Sequence, residues 1–438
     1  MASPPTGDTG TLAPTKNRGV RDPIFQLAVG WGIRWFGLSA YAPYLLIFFN
    51  ADLHLPYLEA GALVALPNAT GLIFPLLGGG VADRFGRRRM IVATFAVESA
   101  GLAVMGAGAF LPSIPIVLAG LVVSRASATL GAPAVSAYVT DFTDKVRRAE
   151  AQSWLRTALN TGFTGGTLAG GLALGFLSFA QLALITAAIT GIGAVTTLLL
   201  IPKTPYDQRL DSTGTLRWGI GTPGPPSPRR PTKALLSSLI ALRTDGILLL
   251  LWGAACATWT LNQQISYGVP AFAHSNLGIS YPIVGVALAF NTVLVVFLQV
   301  PLTRFLRGRR MTLIGVSGTL LYVAAFLGIG LDSSSRVDVE LALFGLVGVI
   351  TLGECLIFYP VSTLSMNMAD EKSRGAYAGV MNMSVGVSAL VAPLLAGLAF
   401  GAVSNPLGAW SILTLPAIPG IWLLLAVRRR VPSELDRC

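Results

Sequence analysis

The stretch GGGVADRFGRRRM, residues 78–90, sets one aspartate and four arginines directly after the uncharged run LVALPNATGLIFPLL at 63–77. So abrupt a change means that the chain passes from one solvent to another. The composition identifies the first solvent. The 438 residues are 53% hydrophobic and only 12% charged, against roughly 25% charged in soluble domains. Mean hydropathy is +0.67. The apolar runs are long and continuous rather than alternating, which points to membrane helices and away from a β-barrel.

At ~20 residues per span, twelve spans are predicted, at 24–49, 57–81, 88–110, 113–139, 152–177, 180–202, 246–272, 281–302, 311–331, 338–366, 376–401 and 406–427. Lysine and arginine orient them, because basic loops stay on the cytoplasmic side. Both tails and the even-numbered connections collect all but three of the 31 basic residues. The exceptions are Arg336 on the opposite side, and Arg34 and Arg125 within spans. A multi-pass protein of the cytoplasmic membrane with both termini cytoplasmic is therefore expected. The net charge of +11 becomes a topology signal, and no nucleic-acid partner is expected.

Residues 1–22 are polar without an apolar core and read as a cytoplasmic tail rather than a signal peptide. Bundles of six spans follow at 23–202 and 244–427, joined by a cytoplasmic linker at 203–243 that contains GTPGPPSPRRPTK, with a basic tail at 428–438. Cys256, Cys355 and Cys438 show neither disulfide nor metal-type spacing. No metal or cofactor is expected.

The two bundles echo each other. PAVSAYVTDFTDKVRRAEAQ from Pro133 parallels PVSTLSMNMADEKSRGAYAG from Pro360, and GTLAGG at 166–171 parallels APLLAG at 392–397. A weaker match pairs DRFGRRRMIV at 83–92 with RFLRGRRMTLI from Arg304. An even span count keeps the copies in one orientation, the pattern of a parallel repeat about an axis along the membrane normal.

Together these features resemble the major facilitator superfamily, over nearly the whole chain. The family's loop between spans 2 and 3 reads G-x-x-x-D-R-x-G-R-R, and Gly79, Asp83, Arg84, Gly86, Arg87 and Arg88 reproduce it. Glycine at 79 suits close helix approach and at 86 a tight turn. The arginines satisfy the orientation rule, but Asp83 is not required by it. The resemblance implies that Asp83 faces the N-terminus of span 11, where helix-end N–H groups favour an anion, and that the arginines have an acid partner at Asp141 or Asp144. The second copy has Arg304 where the first has Asp83, so the implied gate is asymmetric. Span 5 resembles the glycine ladder of the drug–proton antiporter branch, with Gly162, Gly166, Gly170 and Gly171 present and Thr167 in place of its proline. Arg125 stands where the family carries an R-x-x-Q-G motif, although Ala128 and Thr129 replace its glutamine and glycine.

Arg34, Glu98, Arg125 and Glu354 lie well inside spans. An unpaired charge at the bilayer centre costs about 2.5–3.5 kcal/mol or more, so each needs a partner or a wet cavity. By the resemblance, spans 1, 4, 7 and 10 line that cavity, which places Arg34, Arg125 and Glu354 on its wall. Glu354 is expected to take up a proton reversibly, with Arg125 and Glu98 as further coupling candidates. Arg34 is read as a cavity residue, together with Trp259, Asn262, Gln263, Gln264, Tyr267, Asn291, Tyr359 and Asn382. His54 and His274 fall in or near the loops opposite the basic side.

An enzyme is not expected. No H-E-x-x-H, no G-x-S-x-G and no G-x-x-x-x-G-K-[ST] occurs. The resemblance implies an all-α integral membrane protein of twelve helices in two pseudo-symmetric six-helix bundles. It is expected to act as a monomer in the lipid bilayer, exporting small amphipathic molecules against protons by alternating access. The alternative is transport of an organic anion or metabolite held by Arg34 and Arg125, since arginine's planar fork suits carboxylate and phosphate.

Overall fold

The computed structural model describes residues 22–144, 147–212, 231–332, 338–370 and 373–437. Every predicted span is helical. Span 1 is Pro23–Tyr41 with tighter and wider turns on to Asp52; span 2 is Tyr57–Asn68 and Thr70–Phe85; span 3 is Arg87–Phe110; span 4 is Ile114–Phe142. Span 5 is Arg147–Leu174, span 6 Phe179–Leu200, span 7 Gly246–Gln263 and Gly268–Ser275, and span 8 Tyr281–Phe305. Span 9 is Met311–Asp332, span 10 Val339–Met368, span 11 Arg374–Ala402, and span 12 Pro406–Thr414 and Ala417–Arg430.

Among the described residues, nine helices are long and apolar enough to cross a membrane, and span 7 with the short helix before it makes a tenth. Spans 1 and 5 fall short of that test for visible reasons. Span 5 opens on Arg147, Arg148 and Glu150 and is rich in glycine and threonine beyond them. Span 1 carries Arg34 and changes helix type at Ala42–Tyr44 and Phe48–Asp52.

Helix ends follow local chemistry. Asp22, Asp245, Asp338 and Asn405 each accept backbone N–H bonds at the heads of spans 1, 7, 10 and 12, and Ser178 forms a capping box with Gln181 at the head of span 6. Gly86, at φ +92°, separates spans 2 and 3 with a backbone conformation that other residues rarely adopt. Three spans predicted as continuous are interrupted. Span 2 breaks at Ala69. Span 7 turns at 264–267 ahead of Pro270, and span 12 breaks at Leu415–Pro416, because proline offers no N–H to the helix. The linker also holds more structure than its composition suggests, with helices at Pro205–Ser212 and Pro231–Thr244. The second meets span 7 at 109° and so runs crosswise over the basic end.

The halves meet along two seams, span 2 with span 11 and span 5 with span 8. Both seams are built alike. A Cβ on Gly397 would lie 2.5 Å from the Tyr57 carbonyl and 3.1 Å from Cα of Gly61. A Cβ on Gly171 would lie 2.6 Å from the Tyr281 carbonyl and 2.7 Å from Cα of Gly285. Each seam therefore sets one glycine against a Tyr-x-x-x-Gly step. Both lie at the end opposite the basic loops. There a single hydrophobic core runs through the two halves, including Phe48, Phe49, Phe272 and Trp410. Toward the basic end the core divides: Ile24, Met90 and Tyr138 belong to the first half, and Leu251, Met311 and Val427 to the second.

The span 5 ladder packs on span 1. A Cβ at Gly162, Gly166 or Gly170 would meet the carbonyls of Gly32, Phe36 or Ala40 at 2.4, 2.2 and 1.9 Å. Gly170→Val is expected to lower the thermal stability of the solubilised protein by about 1–3 kcal/mol, the usual cost of overpacking. Gly345→Ala, with nothing within 4 Å of its Cβ, is the control that leaves melting unchanged.

Candidate transport pathway

The loop at 83–89 is held from within its own half. Arg87, 4% exposed, sets Nε 2.8 Å from Asp141 and Nη2 3.4 Å from Asp83. The Asp141 contact is out of line for a hydrogen bond and acts through charge. The Arg87 guanidinium also covers the Tyr206 ring at 3.5 Å, and the Tyr206 hydroxyl donates to the Asp83 carbonyl at 2.8 Å. Arg88 donates to the carbonyls of Leu198 and Ile201 at 2.6 and 2.7 Å, placing a cation at the C-terminal end of span 6 where the helix dipole favours it. Arg84 is exposed, and Asp144 caps span 5 by accepting the Arg147 N–H at 2.8 Å. Residues 371 and 372, beside the head of span 11 where Asp83 is expected to dock, lie outside the described residues. A close helix approach occurs at Gly78, beside Gly79: a Cβ on Gly78 would fall 2.1 Å from the Leu130 carbonyl.

The residue that ties this loop down is one the sequence reading missed. Asp207 accepts the backbone N–H groups of Arg87 and Arg88 at 2.7 and 3.3 Å, and that of Thr204 at 3.0 Å. Its own N–H donates to Thr204 Oγ1 at 3.0 Å. Thr204-x-x-Asp207 is a capping-box pattern, a signal available in the sequence. The second half repeats the device after span 12. Asp436 accepts from Thr312 N and Oγ1 at 2.9 and 2.7 Å, and its carbonyl accepts from Met311 N at 2.7 Å. In each half, an acid beyond the sixth span caps the third.

Inside the membrane the four charges divide into one pair and two single groups. Arg34 and Glu98 form a two-pronged ion pair, Nε to Oε2 at 2.5 Å and Nη2 to Oε1 at 3.0 Å, with exposures of 3% and 0%. Trp31, Trp35 and Phe95 stand 5.0–5.6 Å from the guanidinium carbon. Arg34 is therefore buried in a pair rather than set on an open cavity wall: Arg34 and Glu98 neutralise each other and tie span 1 to span 3. Arg125 is half-buried, in electrostatic reach of Tyr41, Tyr267 and Glu98.

Glu354 sits in the second half among polar groups. Asn291 Nδ2 donates to its Oε2 at 3.1 Å and to Thr351 Oγ1 at 2.9 Å; Asn262 Nδ2 donates to the Tyr322 hydroxyl at 2.9 Å, close by. Spans 7, 8, 9 and 10 thus converge on one carboxyl. Of the expected cavity residues, Asn262 and Asn291 join this cluster, while Tyr322 and Thr351 are additions. Among the described residues, no lysine or arginine pairs with Glu354.

The remaining expected residues lie elsewhere. Gln264, fully buried, donates to the Ala392 carbonyl of span 11 at 3.0 Å. Tyr267 meets Asn68 of span 2 at 3.3 Å. Trp259 and Gln263 are half-buried and Asn382 is exposed. Tyr359 is on span 10 with its side chain outside the described set. His54 is exposed, and His274 stacks on Tyr281 at 3.9 Å.

A helical membrane fold of two like halves, with one intramembrane acid set among polar groups from four helices, is the architecture of a carrier. The chain belongs to the Major Facilitator Superfamily, whose family model matches residues 27–393. The family is one of membrane transporters rather than of enzymes. Multidrug resistance protein 2 of Bacillus subtilis is 30% identical over 36% of this chain and 40% of its own length. The match thus spans about two fifths of that relative. Multidrug resistance protein MdtH of Aeromonas salmonicida is 25% identical over 85% of this chain and 87% of its own. A crystal structure of the peptide transporter POT in complex with sulfate has a TM-score of 0.71 at 16% identity, covering 95% of this chain and 96% of that one.

Removing one partner of a buried ion pair strands the other. Glu98→Leu is expected to cost about 3–5 kcal/mol of stability and the pair Arg34→Met with Glu98→Leu far less, as thermal melting of the two proteins would measure. Asp207→Ala is expected to cost about 0.5–2 kcal/mol, as loss of an N-cap does, with Gln208→Ala, its exposed neighbour, changing melting little.

Proposed function

We propose that the protein exports small amphipathic molecules across the cytoplasmic membrane in exchange for protons, by alternating access, with both termini cytoplasmic. The observation that carries this reading is Glu354, an acid deep in span 10 held by the Asn291 amide, within a network that includes Asn262, Tyr322 and Thr351, and by no basic side chain among the described residues. An ionised carboxyl there carries the full cost of a charge in lipid, about 2.5–3.5 kcal/mol or more. A bound proton removes that cost, and so does water when the surrounding helices open. Protonation and opening are thus linked. Glu98 cannot serve in the same way while Arg34 neutralises it. The sequence likeness to multidrug resistance proteins supports efflux as the direction.

The bundles 23–202 and 244–427 are the rocking bodies. Their joined core at one end and divided cores at the basic end fit a state closed to the outside and parted toward the cytoplasm. The loop 83–88 with Asp141 then acts as the cytoplasmic gate. The organic-anion alternative now rests on Arg125, because Arg34 is consumed by Glu98.

Purified protein in liposomes tests the coupling. An imposed pH gradient is expected to drive ethidium transport by the wild type and not by Glu354→Gln, while ethidium–ethidium exchange persists in the variant. Gradient-driven transport that survives Glu354→Gln removes Glu354 from the coupling role.

A further inference from the structure

The two seams between the halves share one backbone pattern and differ in one chemical detail. Aligned on Gly171 and Gly397, Thr167 of span 5 corresponds to Pro393 of span 11. Their carbonyls occupy equivalent places, 3.0 Å from a Cβ on Gly285 and 2.4 Å from a Cβ on Gly61. Thr167 keeps its backbone N–H for its own helix. Pro393 has none, so the Ala389 carbonyl four residues back loses its helical donor. A carbonyl orphaned inside a membrane must find another partner.

It finds one in the other half. Asn68 of span 2 donates from Nδ2 to the Ala389 carbonyl at 3.0 Å. The same amide reaches the Tyr267 hydroxyl of the second half at 3.3 Å. Asn68 stands seven residues beyond Gly61, at the interruption of span 2. Seven residues beyond Gly285 in the other seam is Thr292, whose hydroxyl bonds the Leu288 carbonyl of its own helix at 3.3 Å. Asn68 also donates to the Val64 carbonyl of its own helix at 3.2 Å, so the two positions differ in the bonds that Asn68 adds across the halves, which Thr292 lacks among the described residues.

We propose that Asn68 and the carbonyl freed by Pro393 form a latch that holds the two halves together midway along spans 2 and 11, and that its release is a step in outward opening. The latch confines the polar link to the span 2–span 11 seam and leaves the span 5–span 8 seam free to slide. This role rests on the alternating-access reading above, and the measurement separates the two.

Paired spin labels on cysteines replacing Leu111 and Ser404, one at the outer end of each half, report the separation by double electron–electron resonance. The background carries alanine at Cys256, Cys355 and Cys438. Two distance populations in the wild type are the signature of alternating access. Asn68→Leu is expected to raise the ratio of separated to closed populations roughly threefold to tenfold, the effect of losing one or two neutral hydrogen bonds. Pro393→Thr, which copies the other seam and returns the N–H to span 11, is expected to shift the ratio in the same direction by less. The double variant is expected to match Asn68→Leu alone. Unchanged ratios in both single variants, with two populations still present, overturn the latch and leave alternating access standing. One closed population in every protein overturns both. Because Pro393→Thr tests the same bond from the opposite side, a folding failure of Asn68→Leu does not remove the test.

Discussion

A lipid bilayer supplies no partner for a polar group, so every N–H, carbonyl and charge within it must be answered by the protein itself. The internal organisation of this transporter follows from that constraint. Arg34 is answered by Glu98 from 64 residues away and by a collar of three aromatic rings. The Ala389 carbonyl, left open by Pro393, is answered by Asn68. Among the described residues, Glu354 is answered only by neutral groups. The first arrangement is closed and stabilises one bundle, the second spans both bundles, and the third, in the proposed function, leaves a charge to be settled by a proton.

Glycine provides the complementary freedom. Where Gly162, Gly166 and Gly170 meet span 1, backbone approaches backbone so closely that a methyl group would collide. In lipid, where apolar side chains gain little by leaving their solvent, such close van der Waals contact is a principal source of helix association. Gly171, one residue past the ladder, turns the same chemistry toward span 8. One helix therefore uses adjacent glycines to bind its own bundle and to touch the other.

The sequence made the spans legible, because apolar length is a property of the chain read locally. It also made legible the loop at 79–88, whose spacing is unusual in so apolar a context. Its partners were less visible. The pairing of Arg34 with Glu98 depends on how spans 1 and 3 are turned about their axes, which a single sequence does not state. Two of the amides that surround Glu354 stood out as polar residues within spans, but Tyr322 and Thr351 looked like ordinary members of apolar helices. Asp207 lay in a stretch read as linker. Its Thr204-x-x-Asp207 pattern was present, but a linker reading directs attention away from caps. Asn68 was hidden because its importance comes from a proline on another helix.

The paired carboxylates beyond spans 6 and 12 impose an order on assembly. Asp207 follows its own bundle directly, so the cap on span 3 can close once the first half has been synthesised. Asp436 follows span 12, so the head of span 9 must wait until the second half is almost complete. During synthesis the first bundle is thus a finished body while the second still has an open helix end. The halves, alike in architecture, close these caps at different times.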